Sequence, residues 1–300
     1  MNLDCPRPDP HPRPATFPIA PGACDCHAHV IGPSHLHPFV HDRAYTPPDA
    51  LLPDYLHVVR MLGLQRIILV QPSMHGTDNT VMLNALRDAR AEGIQGYAIA
   101  GVEEDCSEED LQRLHDRGVR GIRLNMIYGG GNAANIGAAA KLAGKLAPLG
   151  WCLELLLDVS HFGANLTEFD DLGVPLVMDH FGHMAAHKGP DDPGFRALIE
   201  LVERGNTWVK LSGSYRLAGD TDFRADVKRL ARALVEADPE RMLWGTDWPH
   251  TLCSIPMPND GDLLNLLADW VPDPTTRTRI LVHNPAALYG FEAGKSGGTE

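Results

Sequence analysis

The sequence predicts an α/β fold, a single-domain (β/α)8 TIM barrel, on three observations. Eight short aliphatic or β-branched runs alternate with helical patterns along the chain. Several of these runs are apolar at every position, as parallel strands covered on both faces are. Their start-to-start spacings run from 23 to 43 residues and average about 31, the size of a βαβ unit. A chain of 300 residues accommodates one such barrel, which needs roughly 250.

The predicted strands begin near Ala23 (ACDCHAHV), Arg66 (RIILVQ), Gly96 (GYAIAGV) and Val119 (VRGIRLNM). They continue near Trp151 (WCLELLLD), Val174 (VPLVMDH), Thr207 (TWVKLSG) and Met242 (MLWGTDW). Between them, Ser107 caps SEEDLQRLHDRG, with Gly118 in the usual C-terminal position. In PGFRALIELVERG, Phe195, Leu198, Ile199 and Val202 recur at helical spacing and form a buried stripe. Leu230, Leu234 and Val235 mark another helix before the last strand. A doubly wound sheet is the alternative. No GxGxxG follows the first strand, and Gly129–Gly131 precedes no Lys-Ser/Thr, so dinucleotide and phosphate-loop readings fail.

Residues 1–22 hold seven prolines within the first 21 positions and read as an extended arm, residues 23–291 as the barrel, and 292–300 as a flexible polar tail. The arm lacks the apolar stretch of a signal peptide, and the protein is read as cytoplasmic. The formal charge of −13 disfavours nucleic acid and anionic membrane as partners. No run of 18 apolar residues is present to span a bilayer. The six cysteines are scattered and suggest no disulfide framework. Oligomeric state stays open, a homo-oligomer included.

The 15 histidines are the feature that asks for chemistry. In a barrel, active sites gather at the C-terminal strand ends. Period-two alternation puts Asp25, His27 and His29 on one face of the first strand and Cys24, Cys26 and Ala28 on the other, so the cysteines read as packing residues. Two imidazoles at i and i+2 can approach one metal ion or one substrate atom. The second strand ends Gln71-Pro72-Ser73-Met74-His75, and the fourth carries Arg123 and Asn125. The sixth ends in Asp179 and His180, the seventh in Lys210-Leu211-Ser212, the eighth in Thr246-Asp247. An aspartate facing three histidines across a barrel mouth is a hydrolytic arrangement: Asp acts on water while His or a metal polarises a carbonyl. His35, His37 and His41 read as solvated loop residues, and His57 and His115 as surface or packing groups. His161, His183, His187, His250 and His283 are left to supporting roles.

CDCHAHV, QPSMHGTDN, GIRLN, DHFGH, WGTDWPH and HNPAALYGF, in that order from about Gly22 to Phe291, resemble the amidohydrolase superfamily. The similar branch hydrolyses pyrone-dicarboxylate and sugar lactones. The resemblance implies a (β/α)8 barrel that opens a lactone to a hydroxy or keto acid in aromatic or sugar acid catabolism. It maps the carbonyl-polarising histidines to His27, His29 and His180 and the water-activating aspartate to Asp247. It maps substrate contacts to Tyr45, Ser73, Arg123 and Arg216, and Asn125 joins them from its place beside Arg123. Two departures stand out: MIYGGGN follows the fourth strand where the pyrone branch has a basic residue, and Leu155-Leu156-Leu157 replace a tyrosine. A smaller or less charged lactone is therefore expected as the partner, or its ring-opened acid.

Metal-dependent relatives add a fifth-strand His or a fourth-strand carboxylate, and this chain has neither. His27, His29 and Asp247 are the ligand set for a single divalent ion such as zinc. The reading leaves open that ion or no obligatory cofactor, and leans to none because Arg123 already makes the site cationic. A lactone isomerase and a zinc-dependent decarboxylase of the same superfamily are the rival activities.

Overall fold

The structure, a computed structural model, describes residues 3–128, 136–218 and 223–292. Gly129–Gly131 and most of the predicted tail, residues 293–300, lie outside the described residues. The eight expected strands form one sheet: β1 (Cys24–Ala28), β2 (Arg66–Val70), β3 (Gln95–Ala100), β4 (Val119–Asn125), β5 (Cys152–Leu156), β6 (Leu176–Met178), β7 (Thr207–Leu211) and β8 (Met242–Trp244). Each lies parallel to the next in sequence. The barrel closes where Asp247 N donates to the His27 carbonyl and His29 N to the Trp248 carbonyl, both at 2.8 Å.

The helices lie outside this sheet: α1 (Leu52–Met61), α2 (Thr80–Ala91), α3 (Glu108–Asp116), α4 (Ile136–Leu146), α5 (Val159–Phe162), α6 (Pro193–Glu203), α7 (Phe223–Ala237) and α8 (Asp260–Trp270). Ser107 caps α3 in a reciprocal capping box with Asp110. In α6, Phe195, Leu198 and Val202 are buried as the helical spacing requires, while Ile199 is half-buried. The fifth crossover departs from the regular pattern, since a four-residue α5 is followed by a 3-10 stretch over Gly163–Leu172. Among the described residues no helix is long and apolar enough to cross a membrane.

The strict alternation expected for β1 is broken. Asp25 pairs with Ile67 and Ala28 with Leu69, so both Cys26 and His27 stand opposite Ile68, which is a β-bulge. Cys24 and Cys26 pack with Ile68, Val70, Ile99, Cys152, Val177 and Leu243 in the barrel interior. Asp25 turns the other way, towards Tyr55 of α1 and Thr246. The extra residue then brings His27 and His29 inward together. The cysteines are packing residues, none of them in a disulfide, but on the opposite face from the one that alternation assigns.

The N-terminal arm is extended and bonded along its length. Asn259, the cap of α8, accepts from Arg13 N at 2.8 Å and donates to Asp9 Oδ2 and the His11 carbonyl, both at 2.8 Å. At its start, Leu3–Asp4 pairs in parallel with Tyr45–Thr46.

Candidate active site

Three strand ends bend sharply to present the site. His180, Gly213 and Asp247, after β6, β7 and β8, have φ of 51°, 58° and 63°, the left-handed region. Such backbone costs about 1–2 kcal/mol for a residue with a Cβ and persists where the surroundings enforce it, which is commonly at functional sites. Only glycine fits at 213, because a Cβ there would lie 2.7 Å from His180 Nδ1 and 2.9 Å from Asp247 Oδ2.

The fully buried Asp247 faces two imidazoles, with Oδ1 3.8 Å from His27 Nε2 and 3.9 Å from His180 Nε2. At that spacing an oxygen hydrogen-bonded to both the carboxylate and an imidazole sits off the line that joins them. Its Oδ2 accepts from the Tyr215 hydroxyl at 2.6 Å and from Arg216 Nε at 2.5 Å, and Oδ1 accepts from Arg216 Nη2 at 3.2 Å. Against the cost of burial, the Arg216 guanidinium holds the Asp247 carboxyl well below the usual carboxylate range. Burial keeps all the site imidazoles neutral: His27 is lowered to about 4, and His29 and His180 well below their ordinary value.

The hydrogen bonds assign several protons. His29 Nδ1 lies 2.8 Å from the Val70 carbonyl, which can only accept, so its proton is on Nδ1 and Nε2 carries a lone pair. That lone pair faces His27 Nε2 at 3.3 Å. His180 Nδ1 lies 3.0 Å from Ser212 Oγ. Neutral His29 thus cannot itself donate to a carbonyl; it contributes through a proton shared with His27 or through a cation.

Beneath His27 is a buried quartet that strand patterns do not bring together. Arg123 Nε donates to Asp179 Oδ2 at 2.7 Å, and Lys210 Nζ donates to Glu154 Oε2 at 2.5 Å. Burial, then the neighbouring Asp179 carboxylate, pushes Glu154 up to about 8, against the pull of Lys210 and Arg123. Arg123 holds Asp179 well below its ordinary value despite burial. Glu154 is a single carboxylate within an aliphatic strand, and that oddity in WCLELLLD is the signal that sequence reasoning passed over. Tyr215 was equally missed, one residue before the expected Arg216.

The cavity above is lined by His29, Tyr45, Ser73, Arg123, His180 and Arg216, all expected from sequence, with Leu156 and His183 also on its wall. Burial raises the Tyr45 hydroxyl pKa, and the neighbouring Thr251 and Ser73 side chains oppose that rise. Asn125 serves locally: its Oδ1 accepts from Ile127 N at 3.0 Å and Tyr128 N at 2.9 Å, closing the turn after β4. His183 has a buried Nε2 with no hydrogen-bond partner among the described residues.

His27, His29 and Asp247 offer ligand atoms within 4.8 Å of one another, and so do His27, Asp179 and His180. In the second set Asp179 faces His27 Nδ1, away from the mouth. The first set points to the mouth, and its 3.3 Å nitrogen separation is near that of two ligands about 2.0–2.1 Å from a tetrahedral zinc. By donor type and span, these residues fit one divalent ion.

This barrel with Asp247 opposite paired histidines defines a class. Residues 24–291 match the amidohydrolase family model, and the chain belongs to that family. It is 38% identical over 297 residues to a 4-sulfomuconolactone hydrolase of Hydrogenophaga intermedia, covering 95% of this chain and 94% of the relative. It is 33% identical over 288 residues to a 2-pyrone-4,6-dicarboxylate hydrolase of Comamonas testosteroni, covering 93% of each. The crystal structure of an Agrobacterium tumefaciens protein in its apo form superposes with a TM-score of 0.80 at 29% identity, covering 90% of this chain and 96% of that one.

Proposed function

We propose that the protein is a lactone hydrolase that opens a small carboxylate-bearing ring. The observation that carries this reading is the placement of Asp247 Oδ1 within 4 Å of two imidazole Nε2 atoms, one of them on His180, which shares the wall of the adjoining cavity with Arg123 and Arg216. The named activities of the relatives support it. Leu156 on the wall favours a ring with one carboxylate over one with two, since a second anion gains nothing from an aliphatic side chain.

In the proposed sequence, Arg123 and Arg216 take the substrate carboxylate while Tyr45 and Ser73 orient the ring. As Arg216 turns to the substrate, Asp247 loses its strongest pairing and regains basicity. Asp247 then removes a proton from the attacking water as the water oxygen bonds to the lactone carbonyl carbon. His27 and His180 donate to the developing oxyanion, with His29 supporting through His27. Collapse breaks the bond to the ring oxygen, which takes the proton from Asp247 and leaves as the hydroxyl of the open acid. A divalent ion held by His27, His29 and Asp247 would supply a Lewis acid for the same carbonyl.

The test is a panel of mono- and dicarboxylate lactones followed by acid release, before and after chelation, with metal content measured on the same sample. Asp247→Asn is expected to lower kcat by about 10³-fold or more while the protein stays folded. Near-native turnover in that variant would remove Asp247 from the role. Product NMR in ¹⁸O-water separates hydrolysis from isomerisation, because only hydrolysis incorporates solvent oxygen.

A further inference from the structure

Lys210 is fully buried on β7, does not line the cavity, and has no role in the reaction proposed above. Its Nζ lies 3.1 Å from His27 Nδ1. We propose that Lys210 is a positioning residue that holds the single proton of His27 on Nε2, making His27 the hydrogen-bond donor of the site.

Two contacts at opposite ends of the imidazole favour this tautomer, and the Lys210 contact is the one that outweighs the carboxylates beside Nδ1. An ammonium only donates, so a nitrogen 3.1 Å from it must present a lone pair. Lys210 is held in place for this by Glu154. At the far end, His29 is committed to the Val70 carbonyl through Nδ1 and presents a lone pair to His27 Nε2 at 3.3 Å. With the His27 proton on Nε2, both contacts are hydrogen bonds. With the proton on Nδ1, an N–H faces the ammonium and two lone pairs face each other.

Carboxylates also surround Nδ1 and argue the other way. Asp179 Oδ1 is 3.3 Å away and Glu154 Oε1 is 3.6 Å away. Among the described residues neither oxygen has a well-aligned hydrogen-bond partner, although Asp179 at this distance still pulls on an Nδ1 proton and raises the His27 pKa against burial. Arg123 draws Asp179 through its other oxygen, and Lys210 draws Glu154 likewise. The quartet therefore offers His27 Nδ1 a donor at 3.1 Å that is closer and better aligned than the competing acceptor at 3.3 Å.

The consequence reaches the cavity. A proton on Nε2, turned from His29 Nε2 to the substrate when the ring enters, is what a lactone oxygen needs, and the same proton occupies the nitrogen that would bind a metal, which requires it bare. Lys210 thus biases the histidine pair towards hydrogen-bond donation, and its removal frees His27 to turn its proton onto Asp179. This rests on the reading of His27 as the group that meets the carbonyl, but the tautomer is measurable without substrate.

The experiment uses the full chain with ¹⁵N-labelled histidine, stripped of metal. Two-bond ¹⁵N–¹H correlation distinguishes the tautomers, and His27→Gln assigns the signal. The wild-type protein is expected to show His27 as Nε2–H, and Lys210→Met to convert it to Nδ1–H. That variant is expected to lose about 100-fold in kcat with KM within a few-fold, and to bind zinc more tightly than the wild type. An Nδ1–H form in the wild type overturns the assignment even if no variant folds. So does an unchanged Nε2–H form in folded Lys210→Met. An Nε2–H form without turnover of any lactone would uphold Lys210 and remove the lactone reading instead.

Discussion

Arg216 is asked to do two things, and its bonds show how they are coupled. It bonds Asp247 through Nε and Nη2 and also lies on the cavity wall. Removing it should therefore change more than substrate affinity. Arg216→Ala is expected to raise KM at least tenfold and to move the acid limb of kcat/KM to higher pH. The sign follows from Asp247: its ionised form is the base, Arg216 stabilises that form, and without Arg216 protonation occurs at higher pH. A pH profile of kcat/KM checks this, and an unmoved acid limb would show that Arg216 does not govern Asp247. His183 allows a second test by stability. Burial lowers it from 6.5 to about 4, so the unfolded chain binds its proton first as pH falls. Its contribution is fully present above about 6.5 and lost on the way down to about 4, roughly 3 kcal/mol in all. His183→Gln should thus gain on the wild type by about that amount between those limits in denaturant titrations. A constant difference at all pH values would mean that His183 titrates normally.

At the scale of elements, the strand ends carry the design, and Gly213 is where it is most exposed to test. A Cβ there meets His180 and Asp247 and requires a φ of 58° that costs roughly 1–2 kcal/mol. Gly213→Ala is expected to lower kcat by about 100-fold while Tm falls only a few degrees, because the displaced atoms are those that react. Measuring kcat beside Tm decides between a site defect and general loosening. The strands themselves were legible: β3, β5 and β6 start at Gln95, Cys152 and Leu176, within two residues of the positions read from local apolar runs. Local runs suffice because a strand buried on both faces writes its burial into consecutive residues. The bulge in β1 was not legible, since one extra residue opposite Ile68 is set by pairing with β2 and β8 rather than by β1 alone. His27 and His29 were still found together, because the bulge reverses the cysteines and Asp25 without separating the pair. Glu154, Asp179 and Lys210 meet only once β5, β6 and β7 pair, and no local pattern reports partners carried by three different strands.

For the whole molecule, the separation of arm from barrel that the prolines suggest hides a dependence. Leu3–Asp4 pairs with Tyr45–Thr46, and Cys5 N donates to the Thr46 carbonyl at 3.1 Å, so the arm holds the segment that brings Tyr45 to the cavity. Farther along, Leu252 N donates to Cys5 Sγ at 3.4 Å, tying the loop after β8 to the same arm. Asn259 fastens the middle of the arm to α8, and Gly261 lies so close to it that a Cβ would meet the Arg13 carbonyl oxygen at 2.0 Å. At about 1 kcal/mol for each hydrogen bond lost, these contacts amount to several kcal/mol. Deleting residues 1–16 is therefore expected to lower Tm by about 5–10 °C, as a loss of this size does in a large domain. It should also raise KM, because Tyr45 and the β8 loop lose their anchor, while kcat at saturation changes less because His27, His180 and Asp247 are held by the barrel itself. Calorimetry and steady-state kinetics on the truncated protein test both parts. A lowered Tm with unchanged KM would reduce the arm to a brace for α8, and a collapse of kcat alone would mean that it reaches the reacting groups by another route.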